Sequence, residues 1–145
     1  MIDVQTEVLI ARPRDVVAAY AADPDNAPAW YRNIDSAIWQ TPRPLAVGSR
    51  IAFTARFLGR TLQYAYEIQE LVPGEKLVMR TAQGPFPMET TYTWRAASDS
   101  ATRMTLRNRG EPAGFSRFAA PFMAPLMRAA NRKDLAAIKQ ILETR

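Results

Sequence analysis

Apolar and polar residues alternate over the opening positions: Val4, Thr6, Val8 and Ile10 share one side, and Asp3, Gln5, Glu7 and Leu9 the other. A period of two with a β-branched inner row predicts a strand. The period then changes. Val16, Val17 and Tyr20 recur at helical spacing behind Pro13, which suits a first helical turn, until Asp23-Pro24 stops the run. A second short helix is predicted from Asp25 to about Tyr31. Six further strands are predicted near 34–42, 48–58, 60–72, 76–83, 88–97 and 101–110, with turn chemistry between them at Gly59, Pro73-Gly74 and Ser98-Asp99-Ser100. Short connections make these neighbours antiparallel. From Pro121 the period returns to 3.6 as far as 143. Met123, Leu126, Met127, Ala130, Leu135, Ala137, Ile138, Ile141 and Leu142 fall on one side, with Arg128, Arg132, Lys139 and Glu143 outside it. Pro121 and Pro125 are expected to bound the first turn of this long helix or to kink it.

This order predicts an α+β helix-grip fold. A seven-stranded curved antiparallel sheet wraps around the long C-terminal helix, with two short helices after the first strand. No repeat, low-complexity tract or linker divides the chain, so residues 1–145 read as one domain. A sheet bent around a single helix closes less tightly than a sandwich, and an apolar cavity between the two is the expected product.

Several segments resemble a known group, the SRPBCC or START-like superfamily, and within it the polyketide cyclase/dehydrase and lipid-transport proteins. The resemblance spans essentially the whole chain. It rests on Ile10-Ala11-Arg12-Pro13 with Val16-Val17 behind it, on Asp23-Pro24 followed by Trp30, on Leu71-Val72-Pro73-Gly74-Glu75, and on Thr91-Tyr92-Thr93-Trp94. It implies a START-like helix-grip fold with a pocket for a hydrophobic ligand. Members of the group bind lipids, quinones, hormones or polyketides, and some are catalysts. No catalytic motif of the characterised cyclases aligns onto this chain, so the resemblance transfers no catalytic residue.

Composition narrows the chemistry. The chain has no cysteine and no histidine, which removes disulfides, thiolate nucleophiles, zinc–thiolate sites, the Ser-His-Asp triad and the commonest metal ligand. The six glycines form no Gly-x-Gly and no Gly-Lys-Ser/Thr, so no phosphate cradle is present. Neither a metal nor a cofactor is expected. The first residues lack the basic and apolar regions of a signal peptide, and no apolar run approaches the roughly eighteen residues of a membrane span. A cytoplasmic location is the resulting expectation. Net charge is +5, yet residues 103–145 hold nine Lys/Arg against three Asp/Glu. That basic third suits either a solvated surface or peripheral contact with an anionic membrane. Nucleic acid ranks last as a partner, because no reader motif accompanies the charge.

Strand alternation selects a wall for the expected cavity. Leu62, Tyr64, Tyr66 and Ile68 share a face, as do Ile51, Phe53 and Phe57, then Tyr92 and Trp94, then Met104 and Leu106. Met123, Met127 and Ile138 add the helix side. Aromatic rings and thioethers suit flat or flexible apolar ligands, and the same residues also suit a packed core. Polar residues on these faces are sharper signals, since burying one unpaired costs about 1–3 kcal/mol. Asp134 lies near the middle of the helix's apolar arc, Asn131 one turn before it, and Asn108 continues the face of Met104 and Leu106. Either they hold neighbouring side chains in place, or they form a polar centre with Tyr64, Tyr66 or Tyr92. Asp134 buried without a cation would titrate nearer neutrality, which makes it the candidate acid or base. Arg103, Arg107 and Arg109 fall on the outer strand face. Phe86, and Phe115 with Phe118, tip two Pro/Gly-punctuated segments that read either as gate loops or as loops held by ordinary hydrophobic anchors.

Three functions follow as expectations. The first is a carrier or sensor that binds a hydrophobic small molecule, a lipid, quinone or polyketide-like compound, in the cavity. The second is a polyketide cyclase/aromatase-like enzyme using Asp134 and tyrosines. The third is lipid transfer at anionic membranes.

Overall fold

The computed structural model describes residues 2–57, 59–83, 87–110 and 120–145. β1 (Ile2–Ile10) leads into α1 (Arg14–Ala22), a 3-10 turn (Pro24–Asn26) and α2 (Ala27–Trp30). There follow β2 (Ile34–Trp39), β3 (Arg50–Phe57), β4 (Arg60–Val72), β5 (Lys76–Gln83), β6 (Met88–Ser98), β7 (Ala101–Gly110) and α3 (Ala120–Glu143). The strands make one antiparallel sheet in the order β1-β7-β6-β5-β4-β3-β2. This is the helix-grip arrangement.

Local chemistry explains where the elements stop. β2 ends at Trp39, short of the predicted 42, because Pro42 has no N–H to donate to a ladder. The predicted second helix is a 3-10 turn followed by the four-residue α2. The Asp23 carboxylate accepts from the Asp25 N–H at 2.9 Å to start that turn, and Pro28 is tolerated within the first turn of α2. Pro125 lies inside α3 rather than bounding it. Leu126, at the edge of the helix's apolar arc, is exposed. Gly74 has φ 78°, the left-handed conformation that lets Pro73-Gly74 turn β4 into β5.

Burial follows the predicted faces. In β1, Ile2, Val4, Thr6 and Ile10 are buried, while Asp3, Gln5, Glu7 and Leu9 are exposed. Outside the sheet the arginine row pairs with acids: Arg107 reaches Asp3 at 2.7 Å, Arg103 reaches Glu7 at 3.4 Å, and Arg109 reaches Glu89 at 3.9 Å. The main core gathers Trp30, Ile51, Ile68, Leu77, Trp94, Met104, Leu106, Leu135 and Ile138. Each large side chain taken fully out of water contributes about 1.5–3 kcal/mol. A smaller cluster of Ile2, Val4, Met123 and Met127 holds the start of α3. At its far end Glu143 accepts from the Ala11 N–H at 2.7 Å, so α3 is fixed along β1 from both ends.

The register sets the polarity of the sheet. Ile2 and Met88 both lie opposite Gly110, and Phe57 lies opposite Arg60. The starts of β1, β4 and β6 and the ends of β3, β5 and β7 therefore share one end of the sheet.

Candidate functional site

Between sheet and helix lies a chamber of about 150 Å³. That volume is of the order that admits a benzene-sized guest. Its lining runs from the wholly buried Ile68 to the exposed Arg56 and Asn33, so the chamber reaches the surface. Phe53 and Ala55 of β3, Tyr64 and Tyr66 of β4, and Tyr92 of β6 supply much of its sheet side, as alternation dictates. Phe53, Tyr64 and Tyr66 form an aromatic group with ring centroids 5.2–5.8 Å apart. The helix side comes from Met127, Ala130, Asn131 and Asp134, spaced so that all face the sheet.

The sequence-selected residues divide. Phe53, Tyr64, Tyr66, Tyr92, Asn108, Met127, Asn131 and Asp134 line the chamber together. Trp94, Met104 and Ile138 pack in the main core away from the lining, and Met123 sits in the smaller cluster. Trp94 instead borders a separate outer groove beside Trp39 and Arg43. The Phe57 side chain, Phe86, Phe115 and Phe118 lie outside the described residues, and with them both gate-loop expectations. Tyr31, Met79, Thr81, Met88 and Thr90 also line the chamber. Thr90 shares the face of Tyr92 and was open to the same alternation argument; Tyr31 follows α2 in a stretch without periodicity.

The polar groups fall into two sets. In the first, Thr90 Oγ1 donates to Asn108 Oδ1 at 2.7 Å and meets the Tyr66 hydroxyl at 2.9 Å. Having one proton, Thr90 spends it on Asn108, so Tyr66 donates to Thr90. The Tyr31 and Tyr92 hydroxyls bond to each other. These groups satisfy one another.

The second set does not. Asn131 is 4% exposed, and its Nδ2 has no hydrogen-bond partner among the described residues. Asp134 is 3% exposed and takes one hydrogen bond among the described residues, from the Arg32 N–H at 3.0 Å. Burial pushes the Asp134 carboxyl up to about 6, against the pull of that N–H and the Arg32 guanidinium. Burial likewise raises Tyr66 to about 12, with Thr90 opposing, and holds Tyr31, Tyr64 and Tyr92 well above the usual phenol range. All four phenols are therefore neutral near pH 7. Asp134, at about 6, titrates nearer to neutrality than these phenols do. Among the described residues, no cluster of three or more acidic side chains is placed to hold a metal ion.

The whole-chain comparison decides the family. A family model described as polyketide cyclase/dehydrase and lipid transport matches residues 1–143. The chain belongs to this family. Solved structures share the fold at low identity. A protein from Thermus thermophilus superposes with TM-score 0.82 at 17% identity, covering 95% of this chain and 94% of its own. A Streptomyces aromatase/cyclase gives 0.81 at 15% identity, over 99% and 94%. A START superfamily protein from Mycobacterium smegmatis gives 0.72 at 13%, over 99% and 95%. No curated protein matches by sequence. No helix among the described residues is long and apolar enough to cross a membrane.

Proposed function

We propose that the protein binds a small hydrophobic molecule in the chamber between sheet and α3, as a carrier or sensor. The observation that carries this reading is an aromatic-walled space of about 150 Å³ that the core leaves unfilled, with two underused polar groups on one wall. Native interiors pack with few spaces larger than a water molecule, and an open, largely apolar chamber of this size presents apolar wall to water that a bound apolar guest would cover. Family membership agrees, since its description includes lipid transport. The chemistry is desolvation and shape.

The test is calorimetric titration with m-cresol, a ring of suitable size. Saturable one-to-one binding is expected, and loss of it in Ala130→Phe, where the new ring fills the chamber. Absence of binding in the parent, or equal binding in the filled variant, overturns the reading.

A second reading is favoured by one observation, the desolvated Asp134 carboxyl at about 6 facing neutral phenols. A carboxylate with raised proton affinity suits removal of a proton beside a carbonyl, and a phenol suits donation to the oxygen that gains charge. On this reading the protein is a cyclase of the aromatase type. Asp134→Asn then abolishes turnover of a poly-β-ketone while m-cresol binding persists; unchanged turnover removes Asp134 from the chemistry.

A further inference from the structure

Among the described residues, four buried side-chain nitrogens lack a hydrogen-bond partner: Trp30 Nε1, Trp94 Nε1, Arg109 Nε and Asn131 Nδ2. Asn131 is the one of these residues that lines the chamber. A buried amide left unpaired is expensive, and a ligand acceptor that reaches it recovers that cost on binding. Three residues further on, Asp134 faces the same space with a single hydrogen bond among the described residues, from a backbone N–H. A carboxyl has capacity for more, and a hydroxyl is the natural donor to it.

Spacing turns two groups into a geometric requirement. Residues three apart on a helix carry Cβ atoms about 5–6 Å apart on one face. A ligand that meets both must present an acceptor and a donor at a similar separation. The opposite wall is the aromatic group of Phe53, Tyr64 and Tyr66, which a flat ring meets edge-to-face or offset. The volume leaves room for one ring. Of the remaining polar lining, Tyr66, Thr90 and Asn108 pair in a chain and Tyr31 pairs with Tyr92, while Tyr64 stands in the aromatic wall.

We infer that the chamber selects a single-ring aromatic carrying a carbonyl and a hydroxyl meta to each other. The carbonyl accepts from Asn131 Nδ2, and the hydroxyl donates to Asp134. This rests on the chamber being a ligand site, and it names the ligand's chemical class.

The experiment compares three single-ring probes by calorimetry at pH 7.5: 3-hydroxyacetophenone, acetophenone without the hydroxyl, and m-cresol without the carbonyl. The parent protein is expected to bind the first at least about fivefold more tightly than either other probe. In Asn131→Leu, the advantage of 3-hydroxyacetophenone over m-cresol disappears, while m-cresol affinity stays within about twofold. The order of affinities in the parent tests the inference even if the variant fails to fold. If all three probes bind equally, or Asn131→Leu keeps the full preference, the assignment is overturned and the hydrophobic chamber stands. If none binds, the chamber is not a ligand site and both conclusions fall.

Discussion

Replacing Asp134 by asparagine should stabilise the protein at neutral pH, although it removes a charged group from a buried, hydrogen-bonded place. The carboxyl titrates near 3.8 when unfolded and at about 6 in the fold. Each tenfold change in proton affinity corresponds to about 1.4 kcal/mol, so ionised Asp134 costs the fold up to about 3 kcal/mol. The sign follows from proton binding. Between pH 4 and 6 the folded state holds this proton more tightly than the unfolded chain, so stability falls as pH rises through that window and levels off above it. The asparagine side chain of the variant is uncharged throughout, and its amide oxygen can still accept from the Arg32 N–H, the bond Asp134 makes at 3.0 Å. The assay is urea unfolding of both proteins from pH 4 to 8. The variant should match the parent near pH 4 and exceed it by about 3 kcal/mol above pH 6.5. That corresponds to roughly 6–12 °C in Tm for a chain of this size. A pH-independent difference, or a variant less stable than the parent at pH 7.5, would refute desolvation as the dominant influence on Asp134.

Two further predictions probe the surroundings of the chamber. Thr90→Val breaks the relay from Tyr66 to Asn108 and leaves both buried partners short, so a loss of about 1–3 kcal/mol is expected in urea unfolding; no loss would mean the relay is not maintained. Gly110→Ala would place a Cβ 2.6 Å from the Pro87 carbonyl oxygen, which backbone must move to relieve, and should cost about 1–3 kcal/mol; an unchanged Tm would show that this end of β7 yields freely.

The sequence disclosed the architecture because two periodicities rarely overlap in this chain. β4, β5 and β7 begin and end where turn residues and alternation place them, and α3 is read from its apolar stripe to within a residue at its start. Asp134 and Asn131 stand out for the same reason: a polar residue on an apolar face is visible without coordinates. What alternation cannot supply is position along the strand. It puts Tyr92, Trp94 and Met104 all inside, but only Tyr92 lies at the level of the chamber, while Trp94 and Met104 are in the solid core. Tyr31 is hidden because it follows a helix of four residues, where no period is long enough to assign a face. The acids that pair with the arginine row lie on β1 and β6, contacts between strands that depend on sheet order. They pair with three of the nine basic residues of the C-terminal third.

The most direct measurement is an NMR experiment on the protein saturated with 3-hydroxyacetophenone, recording nuclear Overhauser effects from ligand to protein. Contacts from the ligand's ring protons to the Met127 and Ala130 methyl groups and to the Tyr64 ring are predicted, with the Asn131 side-chain amide protons shifted on binding. Contacts confined to the exterior, with those methyl and amide signals unmoved, would contradict an interior guest.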